Sequence, residues 1–518
     1  MNNENKKNAI ILAAGFGLRM IPINKRIPKG LLVVNGEVII ERLINQLHEV
    51  GITDITVIVG FMKESYEYLI DKFNVSLVVN MDYKYKHNLH SLEKVRYRLN
   101  NTYIVPCDIY CVDSPFSIDE DKSWYMISDK TINSSSMKLQ KNNVLEYSKN
   151  ENSNTMIGIA YLTQNDSKIV KSNLDSYSKN AKYDDDFWEI TLLKDGKYIT
   201  NGKLVSQESF FDINTYDELR SIDKNSKSLI SDELNTICRV FNCDIKDIKD
   251  IKVVKEGMTN NSFSFSFLDK SYIFRIPGSE VNRKNEYITY RKILLLGISD
   301  EVVFFDEDKG YKISVFWENS RNCDPYNFEE VKLCMDKLKI LHNAKIEVDY
   351  KFDLFQYIEF YESLWKQPIS MYKDYEQTKR NILSLKEIQN LFPKQTYLCH
   401  IDACHLNFLF IDDSKDAKLL DWEYAGAQDP HMDLAEFCLV ALYDKVHVDK
   451  LIDIYFENNC PHEIRIKIYG YIAICGLMWS NWCEYKSQTG IEFGEYALRQ
   501  YRYAKDYYKF FKEGFVGV

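Results

Sequence analysis

Between residues 8 and 110, short apolar runs alternate with amphipathic stretches, and this alternation limits the first half of the chain to few architectures. Asn8–Ala14 (NAIILAA) is a continuous apolar run of a length that suits a strand buried on both faces. Ile55–Val59, Leu77–Val79 and Tyr103–Val105 read as further strands. Between the first two, Val38–Val50 places Ile39, Ile40, Leu43, Ile44 and Leu47 on one helical face. Strand–helix alternation implies a largely parallel sheet, with ligands at the carboxyl ends of its strands. Asp108, in Pro106-Cys107-Asp108-Ile109-Tyr110, follows such an end, where a metal-binding carboxylate would be placed. The first run leads directly into Gly15-Phe16-Gly17-Leu18-Arg19, then Pro22 and Pro28-Lys29. Glycines let the backbone approach an anion and point N–H groups at it. Arg19 and Lys29 add the positive charge that a triphosphate requires. No third glycine completes a dinucleotide fingerprint, and no Gly-Lys-Ser/Thr makes a Walker loop.

A second phosphate chemistry is written into residues 400–424, HIDACHLNFLFIDDSKDAKLLDWEY. Asp402 follows His400 by two positions, Asn407 comes five later, and Asp421 ends the apolar run Lys418–Leu420. Phosphoryl transfer from ATP needs one carboxylate to orient and deprotonate a hydroxyl. It also needs an amide oxygen and a second carboxylate to hold Mg²⁺ on the phosphates. Asp402, Asn407 and Asp421 supply these parts.

A length of 518 residues admits two to four domains. The 66 basic and 76 acidic residues give a net charge of −10, which argues against a nucleic-acid binder. The start, MNNENKK, has no apolar signal core, and the longest apolar stretch, near Tyr471–Trp479, is far short of a span of ~20 residues. A cytoplasmic location without membrane insertion is therefore expected. The 12 Cys show no C-x2-C pairs, so buried reduced thiols are expected. Residues 217–232 turn polar and mark a boundary, giving domains 1–224 and 225–518. Ser231, Asp232 and Glu233 open a new helix. Phe263–Leu268 and Tyr272–Ile276 read as a hairpin, and the chain from about 325 onward as mainly helical. Nothing in the sequence fixes the oligomeric state.

The stretches IILAAGFGLRMIPINKRIPKGLL, VVNMDYKYKHNLHSL, YIVPCDIY and FFDINTYDEL resemble the nucleotidyltransferase superfamily, and within it bacterial CTP:phosphocholine cytidylyltransferases, over roughly residues 8–222. The resemblance implies metal-binding roles for Asp108 and Asp212. It implies phosphate-contacting roles for Arg19 and Lys29, beside Gly15 and Gly17. Asn24 stands where many relatives carry Thr. Trp188 is a candidate choline contact, or alternatively a core residue. The nucleophile would be a phosphomonoester already mostly dianionic near neutral pH, so the site needs positioning and charge stabilisation but no general base.

From about 235 to 518 the chain resembles choline kinases and the wider aminoglycoside-phosphotransferase-like kinases. That resemblance makes Asp402 the catalytic base and Asn407 and Asp421 the Mg²⁺ ligands. It places the phosphate-covering loop at Glu256–Asn261, with Thr259 and Asn260, and puts Arg275 where most kinases carry Lys. Glu286 is the candidate ion-pair partner of Arg275, or a solvated helix residue. Ile401 and the DACHLN spelling depart from the commoner pattern. Trp479, Trp482 and Tyr496 match, approximately, the quaternary-ammonium pocket; their other reading is an aromatic core.

Together these readings predict an α/β protein. An N-terminal Rossmann-like nucleotidyltransferase domain has a mixed, mainly parallel sheet. A C-terminal protein-kinase-like α+β domain has a small N-lobe and a mostly helical C-lobe. The implied activities are phosphorylation of choline by ATP and Mg²⁺-dependent transfer of CMP from CTP to phosphocholine, yielding CDP-choline for decoration of surface glycans. The alternatives are a sugar or aminoglycoside kinase joined to a sugar-phosphate nucleotidyltransferase, and a non-catalytic sensor of choline and nucleotide. Choline against ethanolamine, and CTP against UTP, stay open.

Overall fold

The computed structural model describes residues 6–15, 27–133, 135–147, 153–226, 229, 231–254, 260–278, 283–367, 369–388, 395–411, 416–488 and 493–515. The chain divides into two compact units, Met1–Lys255 with Phe263–Phe267, and Glu256–Ser262 with Leu268–Val518.

The first unit is built on a seven-stranded sheet. Its strands are β1 (Lys7–Ala13), β2 (Ile55–Val59), β3 (Ser76–Val79), β4 (Asn101–Pro106), β5 (Trp124–Ile132), β6 (Ser153–Leu162) and β7 (Asn201–Val205). They lie in the order β7-β5-β6-β4-β1-β2-β3. β1 is parallel to both neighbours, and the β2–β3 and β5–β7 pairs are also parallel. β6 alone runs antiparallel to its neighbours, so the sheet is mixed and mainly parallel. All five residues of β2 are buried, as a strand covered on both faces requires. The helix expected over 38–50 is α1 (Ile39–Glu49), and Ile39, Ile40, Leu43, Ile44 and Leu47 are its buried face. The polar stretch 217–232 lies inside this unit. Arg220 of helix Tyr216–Ile222 donates to the carbonyls of Ile245 (3.3 Å) and Ile248 (2.6 Å).

In the second unit β8 (Lys270–Ile276) pairs antiparallel with β10 (Lys312–Val315), which pairs with β9 (Val302–Phe305). The strands expected at 263–268 and 272–276 are Asn261–Phe267, whose residues Phe263–Phe267 count with the first unit, and Lys270–Ile276. Leu268 and Asp269 between them hold φ of 47° and 60°, the left-handed pair of a tight hairpin turn. Helix α2 (Arg283–Ile293) follows β8. The rest is mainly helical around the long helix α4 (His462–Ser487), preceded by α3 (His431–Val440) and followed by α5 (Glu495–Phe515). α4 is buried on nearly every side from Ile466 to Met478. Gly476 sets its closest approach to α5, since a Cβ there would lie 2.8 Å from the Gln500 carbonyl oxygen and 2.9 Å from Ala504 N. All twelve cysteines are free thiols. Among the described residues no helix is long and apolar enough to cross a membrane.

Candidate active sites

At the carboxyl end of β4 the short strand Ile109–Cys111 pairs antiparallel with Phe210–Asp212, setting Asp212 opposite Ile109. The Ile213 N–H donates to the Asp108 carbonyl at 3.0 Å. Two acids from distant parts of the sequence therefore meet at one sheet end. Lys29 arrives on the turn Lys29–Leu31, which lies against Cys107 because residue 30 is Gly. A Cβ at Gly30 would fall 3.1 Å from the Cys107 Cβ and from the Tyr66 hydroxyl. The Lys29 ammonium donates to Asp108 Oδ2 at 3.1 Å and to Asn214 Oδ1 at 2.6 Å. Desolvation, then the neighbouring Asp108, raises the Asp212 carboxyl to about 6, against the pull of Lys29.

Asn214 is a site residue that the sequence reading missed. Its backbone N–H and that of Thr215 both donate to Glu218 Oε2 at 2.8 Å. The signal was present in the capping box of NTYDE, where Thr215 caps helix Tyr216–Ile222 and Glu218 returns the bond. Gly15 is exposed just beyond β1, with open space where a Cβ would be. Gly17 and Arg19 lie outside the described residues. Trp188 is 1% exposed and packs in the core beside Tyr125, at 6.1 Å between ring centroids.

In the second unit the antiparallel pair Phe408–Ile411 and Ala417–Leu419 brings Asn407 alongside Leu420, whose N–H donates to the Asn407 carbonyl at 2.8 Å. Asp421 follows immediately. The Asn407 side-chain amide donates to Asp402 Oδ2 (3.0 Å) and to the Asp402 carbonyl (2.8 Å). The structure thus brings together the three residues read from the motif. Burial, then Asp421, raises the Asp402 carboxyl to about 7, against the bond from Asn407. Burial, then Glu423, raises Asp421 to about 6, against Arg275 and Lys312.

This loop is held in a conformation its sequence disfavours. Ile401 has φ 74° and Asp421 φ 63°, and a left-handed β-branched residue is strained. Asp433 of α3, which the sequence reading missed, accepts from the N–H groups of His400 (3.0 Å) and Ile401 (2.8 Å). His342 Nε2 lies 3.0 Å from the same carboxylate, and its Nδ1 lies 2.8 Å from the Tyr455 hydroxyl. His400 Nε2 donates to the Leu420 carbonyl at 2.8 Å, and burial lowers this imidazole to about 4, so it serves as a neutral strut.

Arg275 on β8 forms a two-pronged pair with Glu286 on α2, with NH2 to Oε2 at 2.8 Å. Burial works against ionising Glu286, but Arg275, Lys312 and Arg283 hold its carboxyl below the usual range. Arg275 also stands 3.8 Å from Asp421 Oδ1. Asn260 is described and buried, whereas Thr259 lies outside the described residues.

The half-buried rings of Trp479 and Trp482 meet edge-on at 5.7 Å. Phe493 continues the group at 4.8 Å from Trp482, and Tyr496 lies 6.3 Å from Phe493. Tyr361 stacks on Trp479 at 6.4 Å. The Trp479 indole N–H donates to both oxygens of Glu436, at 3.0 and 2.8 Å. Glu436 is fully buried on α3, and burial, then the nearby Asp402, pushes its carboxyl well up. It was not predicted, although it follows Asp433 by three positions and so shares its helix face.

The chain matches the MobA-like NTP transferase domain family over residues 9–117. Lys29 and Asp108 lie inside the matched segment, and Asp212 lies beyond it. The choline-phosphate cytidylyltransferase of Streptococcus pneumoniae (strain ATCC BAA-255 / R6) is 43% identical over 117 residues, 23% of this chain and 51% of that protein. The chain thus matches about half the length of that relative. Protein LicA of Haemophilus influenzae is 27% identical over 264 residues, 47% of this chain and 76% of that protein. The solved structure of choline kinase LicA from Streptococcus pneumoniae aligns over 54% of this chain and 99% of that chain, with 25% identity and a TM-score of 0.46.

Proposed function

We propose that the chain is a bifunctional enzyme. Residues 225–518 phosphorylate choline with ATP, and residues 1–224 transfer CMP from CTP to the resulting phosphocholine, releasing pyrophosphate. The observation that carries this reading is an aromatic enclosure with a buried carboxylate, beside a hydroxyl-activating Asp, in the same chain as an NTP transferase domain. The relative of the N-terminal domain acts on choline phosphate. A kinase supplying that substrate must bind choline.

In the kinase, Asp402 accepts the choline hydroxyl proton as the oxygen attacks the γ-phosphorus and the bond to ADP breaks. Arg275, fixed by Glu286, faces the phosphates. The faces of Trp479, Trp482 and Tyr496 hold the trimethylammonium group, and Glu436 fixes the Trp479 ring by accepting its indole N–H. In the transferase, a phosphocholine oxygen attacks the α-phosphorus of CTP and the bond to pyrophosphate breaks. Lys29, steered by Asn214, offsets charge there, and Arg19 with Gly15 and Gly17 receives the leaving group. The oxygen-rich pairs Asp108/Asp212 and Asn407/Asp421 fit Mg²⁺, which would neutralise phosphate charge in both sites.

The test is to incubate the purified chain with Mg²⁺ and ATP, with and without choline, then add CTP and follow products by mass. ATP consumption that needs choline, followed by CDP-choline and pyrophosphate, is expected. ATP consumption indifferent to choline and driven by a sugar would overturn the choline assignment.

A further inference from the structure

Arg283 is the hub of a buried polar cluster, and the reaction as described leaves Arg283 itself without a role. Its NH1 donates to Glu286 Oε2 (3.0 Å) and Glu423 Oε2 (3.1 Å), and its NH2 to Asn260 Oδ1 (3.1 Å) and the Gly278 carbonyl (3.3 Å). The cluster closes on itself, since Asn260 Nδ2 donates to Glu423 Oε2 at 3.0 Å and the Gly278 N–H donates to Asn260 Oδ1 at 3.3 Å. Arg283, Glu286, Glu423 and Asn260 are 9%, 1%, 6% and 8% exposed. The stem of Arg283 is gripped too. A Cβ on Gly310, whose φ is 68°, would fall 2.7 Å from Arg283 Cγ.

These partners come from separate pieces of the unit. Arg283 and Glu286 lie on α2, Gly278 just beyond β8, and Asn260 just before the strand Asn261–Phe267. Glu423 lies in the turn Trp422–Tyr424 that follows Asp421. Arg283 is poorly suited to bind a phosphate itself, because its NH1 and NH2 are already committed to four acceptors. Stability alone is also a poor account of it, because desolvating a guanidinium and two carboxylates roughly cancels their attraction. What a planar fork between two carboxylates does supply is a fixed geometry.

We propose, on the basis of the kinase reading above, that Arg283 is a positioning residue for phosphoryl transfer. It locks the turn carrying Asp421 to the helix carrying Glu286, so that the metal-binding carboxylate and the Arg275–Glu286 pair meet the nucleotide in one arrangement.

The full chain with Arg283→Lys, which keeps the charge and loses the fork, and with Glu423→Gln, which keeps the shape and loses the charge, tests this. Each is expected to lower kcat for choline-dependent ATP consumption by roughly 10- to 100-fold, as loss of a residue orienting a metal ligand does. The Mg²⁺ concentration for half-maximal rate should rise. The choline KM and the cytidylyl transfer rate should stay at wild type. The double variant should lose less than the product of the two losses, because both remove one contact. Wild-type kcat and Mg²⁺ dependence in folded variants, with only Tm lowered, would overturn the proposal. If Arg283→Lys does not fold, Glu423→Gln decides by the same criteria. If the wild-type chain itself shows no choline-dependent turnover, the kinase reading fails. Arg283 is then judged by calorimetric Mg-ATP affinity, where a tenfold loss in the variants supports its role and an unchanged affinity removes it.

Discussion

In the N-terminal unit Asp108 and Asp212 meet because two distant strands pair, and Lys29 reaches Asp108 on a glycine-softened turn. In the C-terminal unit Asp402, Asn407 and Asp421 sit within one short segment, and the difficulty is the opposite one. Local chain geometry must be forced, with Ile401 and Asp421 left-handed and Asp433 gripping two consecutive N–H groups. The first site is assembled by topology and tolerates relaxed backbone. The second is compact in sequence and depends on buried polar struts. Local spacing is a good guide to a site only when something remote holds the loop in shape.

The largest expected effect is a crossed loss. Asp402→Ala should reduce choline phosphorylation by roughly 10²- to 10⁴-fold, the usual range for a lost general base, and leave cytidylyl transfer from supplied phosphocholine intact. Asp212→Asn should cut cytidylyl transfer by roughly 10²- to 10³-fold, on the scale of one lost electrostatic contact to the reacting phosphate, and spare the kinase. Measuring both activities on both folded variants breaks the comparison if either substitution abolishes both.

Next in size is the aromatic enclosure. Trp482→Leu keeps an apolar side chain and loses the ring quadrupole, so the choline KM should rise by roughly 5- to 30-fold, from one desolvated cation–π contact of ~1–2 kcal/mol. The KM for ATP should hardly move. A lower Tm with unchanged choline KM would instead make Trp482 a packing residue.

The two sites should also differ in their acid limbs. Asp402 must be ionised to accept a proton, and burial and Asp421 raise it to about 7, so kinase kcat should fall as pH drops through that region. The mechanism proposed for the transferase uses no base, and its phosphomonoester nucleophile would lose its second proton near ~6, so its limb should lie about one pH unit lower. Rate–pH profiles of both activities at saturating Mg²⁺ check this; coincident limbs would remove Asp402 as the base.

The smallest effect concerns stability of the first unit. Glu189 is buried and accepts from the Tyr125 hydroxyl at 2.9 Å, and burial raises its carboxyl from 4.5 to about 7. A folded-state value above the unfolded one means the folded chain holds this proton more tightly. Stability is therefore fully present below the unfolded value and is lost as pH rises toward and past 7. Glu189→Gln should stabilise this unit at pH 8 by roughly 1–3 kcal/mol and change little below pH 4.5, on the scale of ~1.4 kcal/mol for each tenfold change in proton affinity. Denaturant titrations at the two pH values would decide it, and equal effects at both would refute the linkage.

Periodicity and spacing alone marked the strands around Asn8–Ala14, Ile55–Val59 and Tyr103–Val105, the buried face of α1, and the Asp402, Asn407, Asp421 set. These are local properties: strand and helix periods, and a hairpin short enough to place its ends by itself. Tertiary structure alone decided which remote groups complete each site. Asn214 reaches Lys29, Asp433 braces His400 and Ile401, Glu436 accepts from Trp479, and Arg283 joins Glu286 to Glu423. Each is an ordinary Asn, Asp, Glu or Arg in an ordinary turn or helix; the capping box after Asn214 and the shared helix face of Asp433 and Glu436 can be read along the chain, but the groups they meet cannot. Each role comes from burial beside an opposite or a like charge, and a sequence does not show which charges the fold will take out of water together.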